Sequence, residues 1–345
     1  MIGTMLRRAA LSALVLSASL GSAAKADAVA DFYKGKTITI LSGFGAGGMY
    51  GIYSHVIADH MPKHIPGHPK MIAQFMPGAG GVKAANYFMT AAPKDGTVVG
   101  LLSQAIALTQ VLRGGANVRY DASKMHWLGS FDTVTNVLSI WNAGTKVRTV
   151  ADMKDQELIV GATGKGSIGY MNMVALKKLL GLKMKIIAGY AQLEALDLAL
   201  ERGEVQGRAA TFISITTRKM DWINDKKITN LVQFSLRRDS AWPNVPLAQE
   251  LTTDPEAQRI FRFLAAPSTV GRGFNLPPGT PPDRVAAMRE AFEKTVKDPA
   301  FVAEAHAKQL PLDWVPAKEL EAAINETVHA PKSLVDKVEK LFAGD

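Results

Sequence analysis

The chain has 345 residues, a formal net charge of +9 and no cysteine. That length is enough for two domains of ordinary size, and the lack of thiols excludes both disulfides and a lipid-modified cysteine. The basic residues are spread along the chain, which excludes a nucleic-acid tail and a nucleic-acid partner. A solvated surface is the first interpretation of this charge, and attraction of anionic ligands is the second.

The N-terminus has the pattern of a secretory signal peptide. Arg7 and Arg8 precede an apolar run from Ala9 to Leu20 that is too short to span a bilayer. Ala24-Lys25-Ala26 then offers a small-x-small cleavage site. A buried N-terminal helix is the alternative. We predict that residues 1–26 are removed and that the product is exported to a periplasm without a lipid anchor.

Short apolar strands alternate with amphipathic helices along the rest of the chain. We predict strands at 38–41, 71–76, 97–102, 127–131, 137–141, 157–162, 185–188, 205–211 and 228–234, and a last apolar crossing at 269–276. Helices are expected between them and throughout the C-terminal third. Repeated strand–helix units of this length predict parallel sheets covered by helices.

Two of these strands lead through a glycine-rich turn directly into a helix. The first turn spans Gly43 to Gly48 and the second follows Gly161 in the sequence GATGKGS. The first N–H groups of a helix have no intrahelical partner, and the helix dipole adds positive charge there, so such a turn can bind an anion.

The two units stand at comparable positions in two halves of the chain, which restarts near residue 130 and returns near residue 270. This pattern predicts an α/β fold with two Rossmann-like lobes, a central cleft and two interlobe crossings. We assign residues 27–130 and 266–345 to lobe 1 and residues 131–265 to lobe 2.

A nucleotide site is disfavoured although Gly43, Gly45 and Gly48 match the dinucleotide fingerprint. That fingerprint also needs an acidic residue at the end of the second strand, where this chain has Gln74-Phe75-Met76. We therefore predict no cofactor.

A catalytic or metal site is disfavoured as well. His60, His64 and His68 have helical spacing, but intervening prolines break any such helix, which leaves a polar loop. Ser167 lacks the preceding glycine of a nucleophile elbow and is better placed to donate a hydrogen bond at a helix start. The sequence thus indicates a binding protein without enzymatic activity and without a metal.

The order and spacing of several segments identify a family. FGAGGMYG, MPGAGG, APKDGTVVGLL, GATGKGS, LERGEVQGR and PPGTPPDRVAAM occur in turn over nearly all of residues 31–341. The chain resembles the periplasmic solute-binding proteins of tripartite tricarboxylate transporters, the TctC-like or Bug family. The resemblance implies two lobes that close over a small carboxylic acid, whose oxygens are held by backbone N–H groups and ordered waters. It also implies a monomer that delivers its ligand to a large and a small membrane subunit.

The resemblance also suggests site residues by position. The candidate ligand-binding residues are Phe44, Gly45, Ala46, Gly47, Gly48, Met49, Tyr50, Gln104, Thr163, Gly164, Lys165, Gly166, Ser167, Tyr190 and Arg208. Two roles are open for Arg208: it contacts a second carboxylate of the ligand, or it forms a salt bridge at the surface or between the lobes.

Gly51 departs from the family pattern, because relatives often carry aspartate there. Such an aspartate could hold a ligand ammonium or order a water, so its loss removes an acceptor and is expected to make room. Two other functions stay open: a binding protein that serves a sensor kinase, and an exported enzyme acting on a carboxylic acid.

Overall fold

A computed structural model describes residues 28–115, 117–163, 165, 167–190 and 193–343. The predicted signal peptide lies outside these residues, as do Gly164 and Gly166. The strands are β1 (Thr37–Ser42), β2 (Lys70–Phe75), β3 (Val98–Leu101), β4 (His126–Ser130), β5 (Asn136–Trp141), β6 (Leu158–Ala162), β7 (Met184–Ala188), β8 (Gly207–Thr211), β9 (Ile228–Phe234), β10 (Gly273–Leu276) and β11 (Val315–Pro316). Each strand predicted from the sequence is confirmed, with ends that differ by two residues at most.

A first helix, α1, includes residues 28–33. The others are α2 (Met49–His60), α3 (Val82–Thr90), α4 (Ile106–Leu112), α5 (Ile168–Leu180), α6 (Leu193–Glu201), α7 (Ile213–Arg218), α8 (Met220–Asn224), α9 (Pro255–Ala265), α10 (Pro267–Val270), α11 (Pro282–Lys297), α12 (Pro299–Ala307), α13 (Ala317–Val328) and α14 (Lys332–Phe342). No helix in the described part of the chain is long and apolar enough to cross a membrane.

The strands form two sheets. The first has the order β11-β4-β10-β3-β1-β2, and the second has the order β7-β6-β8-β5-β9. We call the layers built on the first sheet lobe 1 and those built on the second lobe 2. The chain passes between them at residues 131–135, the first crossing, and at residues 266–272, the second crossing. This is the predicted two-lobed α/β fold.

The sheets are mixed rather than wholly parallel. In lobe 1, β10 is antiparallel to β3 and β4, and in lobe 2, β5 is antiparallel to β8 and β9. The reason is that β5 and β10 follow the crossings. A strand that follows a crossing begins at the cleft and runs away from the cleft. The other long strands run toward the cleft and end there, so the two kinds of strand are antiparallel.

Each sheet has its own apolar core. In lobe 1, the fully buried Phe131 packs against the rings of Tyr53, Phe274, Phe292 and Phe301 at centroid distances of 5.1–5.3 Å. Lobe 2 is built around the buried faces of β5, β6, α5 and α9. Phe131 is the first residue of the first crossing, so this crossing starts inside the aromatic core of lobe 1.

The C-terminal helix lies against elements of both lobes. Leu334 and Val338 of α14 belong to the apolar cluster of lobe 2, where α14 packs against α5. α14 also contacts α4, which follows β3 of lobe 1. The apolar stripe of α14 is thus covered between α4 and α5, whereas the preceding helix, α13, packs on β4 in lobe 1.

The histidines lie where α2 and the following turn meet α12. His60 Nε2 is 2.7 Å from Glu304 Oε2, and His64 Nε2 is 2.8 Å from Asp298 Oδ2. Within the described residues, no group of three or more histidine or carboxylate side chains is placed to hold a metal ion. These two histidines thus form part-buried hydrogen bonds to carboxylates where α2 and the following turn meet α12.

Candidate ligand-binding site

The first glycine loop leaves β1 at Ser42, whose hydroxyl accepts the N–H of Phe44 at 3.3 Å. Residues Gly45 to Gly48 are exposed, and Gly48 is the N-cap of α2 without a side-chain hydrogen bond to the helix. The Gly48 carbonyl accepts the N–H groups of Gly51 and Ile52 at 2.9 and 3.1 Å. The preceding stretch of loop therefore presents its backbone to solvent at a positive helix end.

Two other loops of lobe 1 fix this loop from the side. A Cβ on Gly43 would lie only 3.2 Å from the Cα of Gly81, and a Cβ on Gly81 would lie 3.1 Å from the Cβ of Ser103. Gly81 also has φ +95°, which favours glycine. The loops that follow β1, β2 and β3 are consequently packed closely against one another at the carboxyl ends of these strands.

Tyr50 anchors the start of α2. Its hydroxyl accepts the N–H of Gln104 at 3.1 Å, and its ring lies 4.3 Å from the ring of Phe44. Burial raises the pKa of Tyr50, so the hydroxyl stays protonated and neutral. The structure thus brings Phe44, Tyr50 and Gln104 together as a support under the loop.

The space left by the missing side chain at Gly51 is already filled. A Cβ at this position would lie 1.9 Å from the carbonyl oxygen of Ala46. The loop therefore folds back onto the first turn of α2, and an aspartate could not be accommodated without moving it. The expectation that the glycine makes room for a ligand is wrong for this loop conformation, since the loop itself uses the room.

The second glycine loop follows β6 in lobe 2. Ser167 is the N-cap of α5, and its hydroxyl accepts the N–H of Tyr170 at 3.2 Å, so it serves here as an acceptor rather than the predicted donor. Thr163 is half-buried and Lys165 is exposed. Lys165 lines a cavity of about 270 Å³ together with Arg113, Glu339 and other residues of α4, α5 and α14.

Tyr190 and Arg208 are turned toward the interior of lobe 2. The Tyr190 ring packs over Gly161, where a Cβ would lie 3.3 Å from it. Arg208 is buried, with its guanidinium 3.1 Å from Asp197 and 5.3 Å from the ring of Trp222. Burial lowers the pKa of Arg208 to about 10. The salt bridge between Arg208 and Asp197 is buried within lobe 2, so it is neither the surface nor the interlobe salt bridge that the sequence suggested. Because its guanidinium already pairs with Asp197, Arg208 is poorly placed to bind a ligand carboxylate.

A buried ion pair that the sequence reasoning missed joins the two crossings. Asp132 of the first crossing pairs with the guanidinium of Arg272 in the second and also accepts the Arg272 backbone N–H at 3.1 Å. Tyr53 donates its hydroxyl to Asp132 at 3.3 Å, and the Arg272 guanidinium lies 5.8 Å from the Tyr50 ring. Burial raises the pKa of the Asp132 carboxyl, whereas Arg272 lowers it. The available signal was a single charged residue in each crossing, Asp132 in the first and Arg272 in the second.

The strand order and one contact between the lobes put the two glycine loops on the same side of the crossings. The loops after β1, β2 and β3 lie on the side of β10 and β4 away from β11, and the loops after β6 and β7 lie on the side of β5 away from β9. Arg237, which follows β9, pairs with Asp313, which precedes β11, so the other sides of the two sheets also face each other. A cavity of about 210 Å³ lies beside the crossings, and its lining combines residues of the crossings with residues that follow β8 and β9, among them Asp132, Phe212, Asp239 and Arg272. No described residue of the two glycine loops lines it. The placement of the two loops suits a small ligand held between two lobes.

Comparisons with known proteins agree with this geometry. The profile of the tripartite tricarboxylate transporter family receptor, TctC, matches residues 54–340. A Cupriavidus necator protein, described as the UPF0065 protein in the gbd 5' region, is 25% identical over 329 residues, which are 93% of this chain and 94% of that protein.

Solved structures share the fold. A TctC solute-binding protein from Polaromonas has a TM-score of 0.68 at 19% identity, over 88% of this chain and 99% of that one. The periplasmic binding protein BugD has a TM-score of 0.63 at 19% identity, over 90% and 98%. R. palustris Rpa4515, solved with adipate, has a TM-score of 0.63 at 16% identity, over 89% and 97%. Because the profile covers most of the sequence, the chain belongs to the TctC family of tripartite tricarboxylate transporter receptors, which are binding proteins and not enzymes.

Proposed function

We propose that this chain is an exported receptor that captures a small dicarboxylate in the cleft between its lobes. The observation that carries the proposal is the pair of strand–glycine–helix loops on the same side of the crossings, one in each lobe. A ligand with a carboxylate at each end could be held by both loops at once, and the relative Rpa4515 was solved with such a molecule, adipate.

The first loop would supply backbone donors rather than a charged side chain. Gly45 to Gly48 are exposed at the N-terminus of α2, and Gly51 offers no carboxylate to a ligand ammonium. A ligand that is anionic and carries no amine therefore fits this loop best. In the second loop, Thr163, Lys165 and Ser167 border the residues outside the described part of the chain.

Delivery to the large and small membrane subunits of a tripartite transporter completes the proposal. It is supported by the family to which the chain belongs. Export to the periplasm is supported by the signal-peptide pattern of residues 1–26 and by relatives such as BugD. The lack of cysteine fits a receptor that is not lipid-anchored.

A thermal-shift screen tests the ligand class. The panel would hold straight-chain dicarboxylates of three to seven carbons, the matching monocarboxylates, tricarboxylates, aromatic acids and amino dicarboxylates. A ligand at 100 times its dissociation constant stabilises the folded state by about 2.7 kcal/mol. We expect such a shift with an amine-free dicarboxylate and not with its monoamide. No shift with any carboxylate would refute the proposal.

A further inference from the structure

A second cavity, of about 610 Å³, lies behind the crossings. Its lining comes from both crossings, from the segment after β9 in lobe 2 and from the segment before β11 in lobe 1. β9 and β11 are the edge strands on the far side of β5 and of β4 from the glycine loops. We call this cavity the rear crevice, because its lining comes from the crossings and from the β9 and β11 side of the lobes, away from the glycine loops.

An ion pair spans the rear crevice from lobe to lobe. Arg237, which follows β9, pairs through Nη2 with Oδ2 of Asp313, which precedes β11. The same carboxylate oxygen accepts the hydroxyl of Thr133 in the first crossing at 2.7 Å. The pair is thus fastened at the point about which the lobes would turn.

Both partners are held to their own lobes. The Asp313 backbone N–H donates to the carbonyl of Phe131 at 2.8 Å, next to the aromatic core of lobe 1. In lobe 2, the Arg237 carbonyl accepts the hydroxyl of the buried Ser235 at 2.5 Å. Any rotation of one lobe against the other must therefore change the distance between Arg237 and Asp313.

We propose that the Arg237–Asp313 pair is a rear latch that favours the arrangement of the lobes seen here, which we call open, over one in which the glycine loops are closer together, and so sets ligand affinity without touching the ligand. The lobes are joined at the crossings, so a rotation that brings the glycine loops together moves the far side apart. Closure must then stretch or break the pair. The pair stabilises the open state by its interaction free energy, and this stabilisation lowers the ratio of closed to open molecules.

The size of the effect follows from exposure. The side chains are 67% and 48% exposed, and an exposed ion pair changes such a ratio by up to about fivefold. For a receptor that closes on its ligand, removing the latch tightens apparent binding by up to the same factor. That consequence rests on the proposed function, whereas the change in the lobe equilibrium does not.

The neighbouring Arg238 provides a matched control. It has the same charge and lies in the same segment, but it pairs with Glu250 at 2.6 Å and donates to the Pro243 carbonyl at 2.7 Å, both in lobe 2. Replacing it removes one cation and one surface ion pair from the protein without loosening any bond between the lobes.

The test is a distance measurement between the lobes in the absence of ligand. The chain has no cysteine, so Lys83→Cys and Leu198→Cys place two spin labels uniquely, on α3 and α6, at exposed positions beyond the cleft. In this background we expect Arg237→Gln and Asp313→Asn each to raise the short-distance population by up to about fivefold. Arg238→Gln should leave the distribution unchanged. An unchanged distribution in both latch variants, or an equal change in Arg238→Gln, would overturn the proposal.

Discussion

Replacing Gly51 by alanine tests the loop conformation on which the site depends. The new Cβ would lie 1.9 Å from the carbonyl oxygen of Ala46 and 2.5 Å from its carbonyl carbon, whereas real Cβ contacts below 3.0 Å are essentially never seen. These are backbone atoms, so no side-chain rotation relieves the clash. The loop must move by about 1 Å, away from the first turn of α2.

The sign of the stability change in Gly51→Ala shows whether the clash with Ala46 outweighs the higher helix propensity of alanine. Without a clash, alanine in place of glycine within a helix stabilises a protein by about 0.5–1 kcal/mol. Overpacking typically costs about 1–3 kcal/mol, so we expect a net loss of up to about 2 kcal/mol in urea unfolding. Displaced backbone donors should also weaken dicarboxylate binding. Each hydrogen bond is worth about 1 kcal/mol, so losing two costs more than tenfold in affinity by titration calorimetry.

Gly47→Ala is the matched control, because a Cβ there meets nothing within 4 Å. Its stability should equal that of the wild type within about 0.5 kcal/mol. The reasoning fails if Gly51→Ala is more stable than the wild type and binds the ligand equally well, since the loop would then not rest on the helix.

Three further predictions concern charge and steric access. Lys165→Ala should weaken ligand binding by no more than about 1 kcal/mol in calorimetry, because Lys165 is exposed. Gly47→Val should weaken binding far more, because the new side chain blocks the ligand. The opposite order would contradict binding of the ligand by the backbone of the loop. Asp132→Ala leaves the guanidinium of Arg272 buried and unpaired. Urea unfolding should therefore show a free energy of unfolding about 3–5 kcal/mol lower than that of the wild type. An unchanged unfolding midpoint would argue against a buried pair. A hydrogen bond from Lys63 lowers the pKa of the Asp298 carboxyl. The ionised Asp298 carboxylate therefore stabilises the folded state above about pH 4, and this contribution is lost as the pH falls through the lowered pKa. Asp298→Asn should consequently lose less stability than the wild type on acidification. Equal losses of stability in thermal melts of the two proteins would contradict this.

Local sequence patterns predicted most of the elements. The glycine turns at Gly43–Gly48 and after Gly161, and the apolar runs before them, are short-range signals that need no knowledge of distant residues. The restart near residue 130 and the return near residue 270 likewise indicated two lobes. The positions of the loops within the fold follow from this alternation, because strands and helices of that length pack in few ways.

Long-range contacts decided what the sequence did not predict. The reversed directions of β5 and β10 depend on where the crossings enter each lobe, and the position of α14 depends on its contacts with both α4 and α5. The Asp132–Arg272 pair joins residues 140 positions apart, so no local pattern relates them. The fold of the first loop onto Gly51 is set by the path of the backbone, which composition does not reveal.

Selective labelling of glycine tests the central claim, that a dicarboxylate is held by backbone N–H groups of the glycine loops. Protein labelled with ¹⁵N-glycine would be titrated with the dicarboxylate that gives the largest thermal shift. The account predicts that the amide resonances of Gly45, Gly47 and Gly48 move with saturation, while those of Gly181 and Gly203, in surface turns of lobe 2, stay fixed. Saturable binding that leaves the first three resonances unmoved would contradict it.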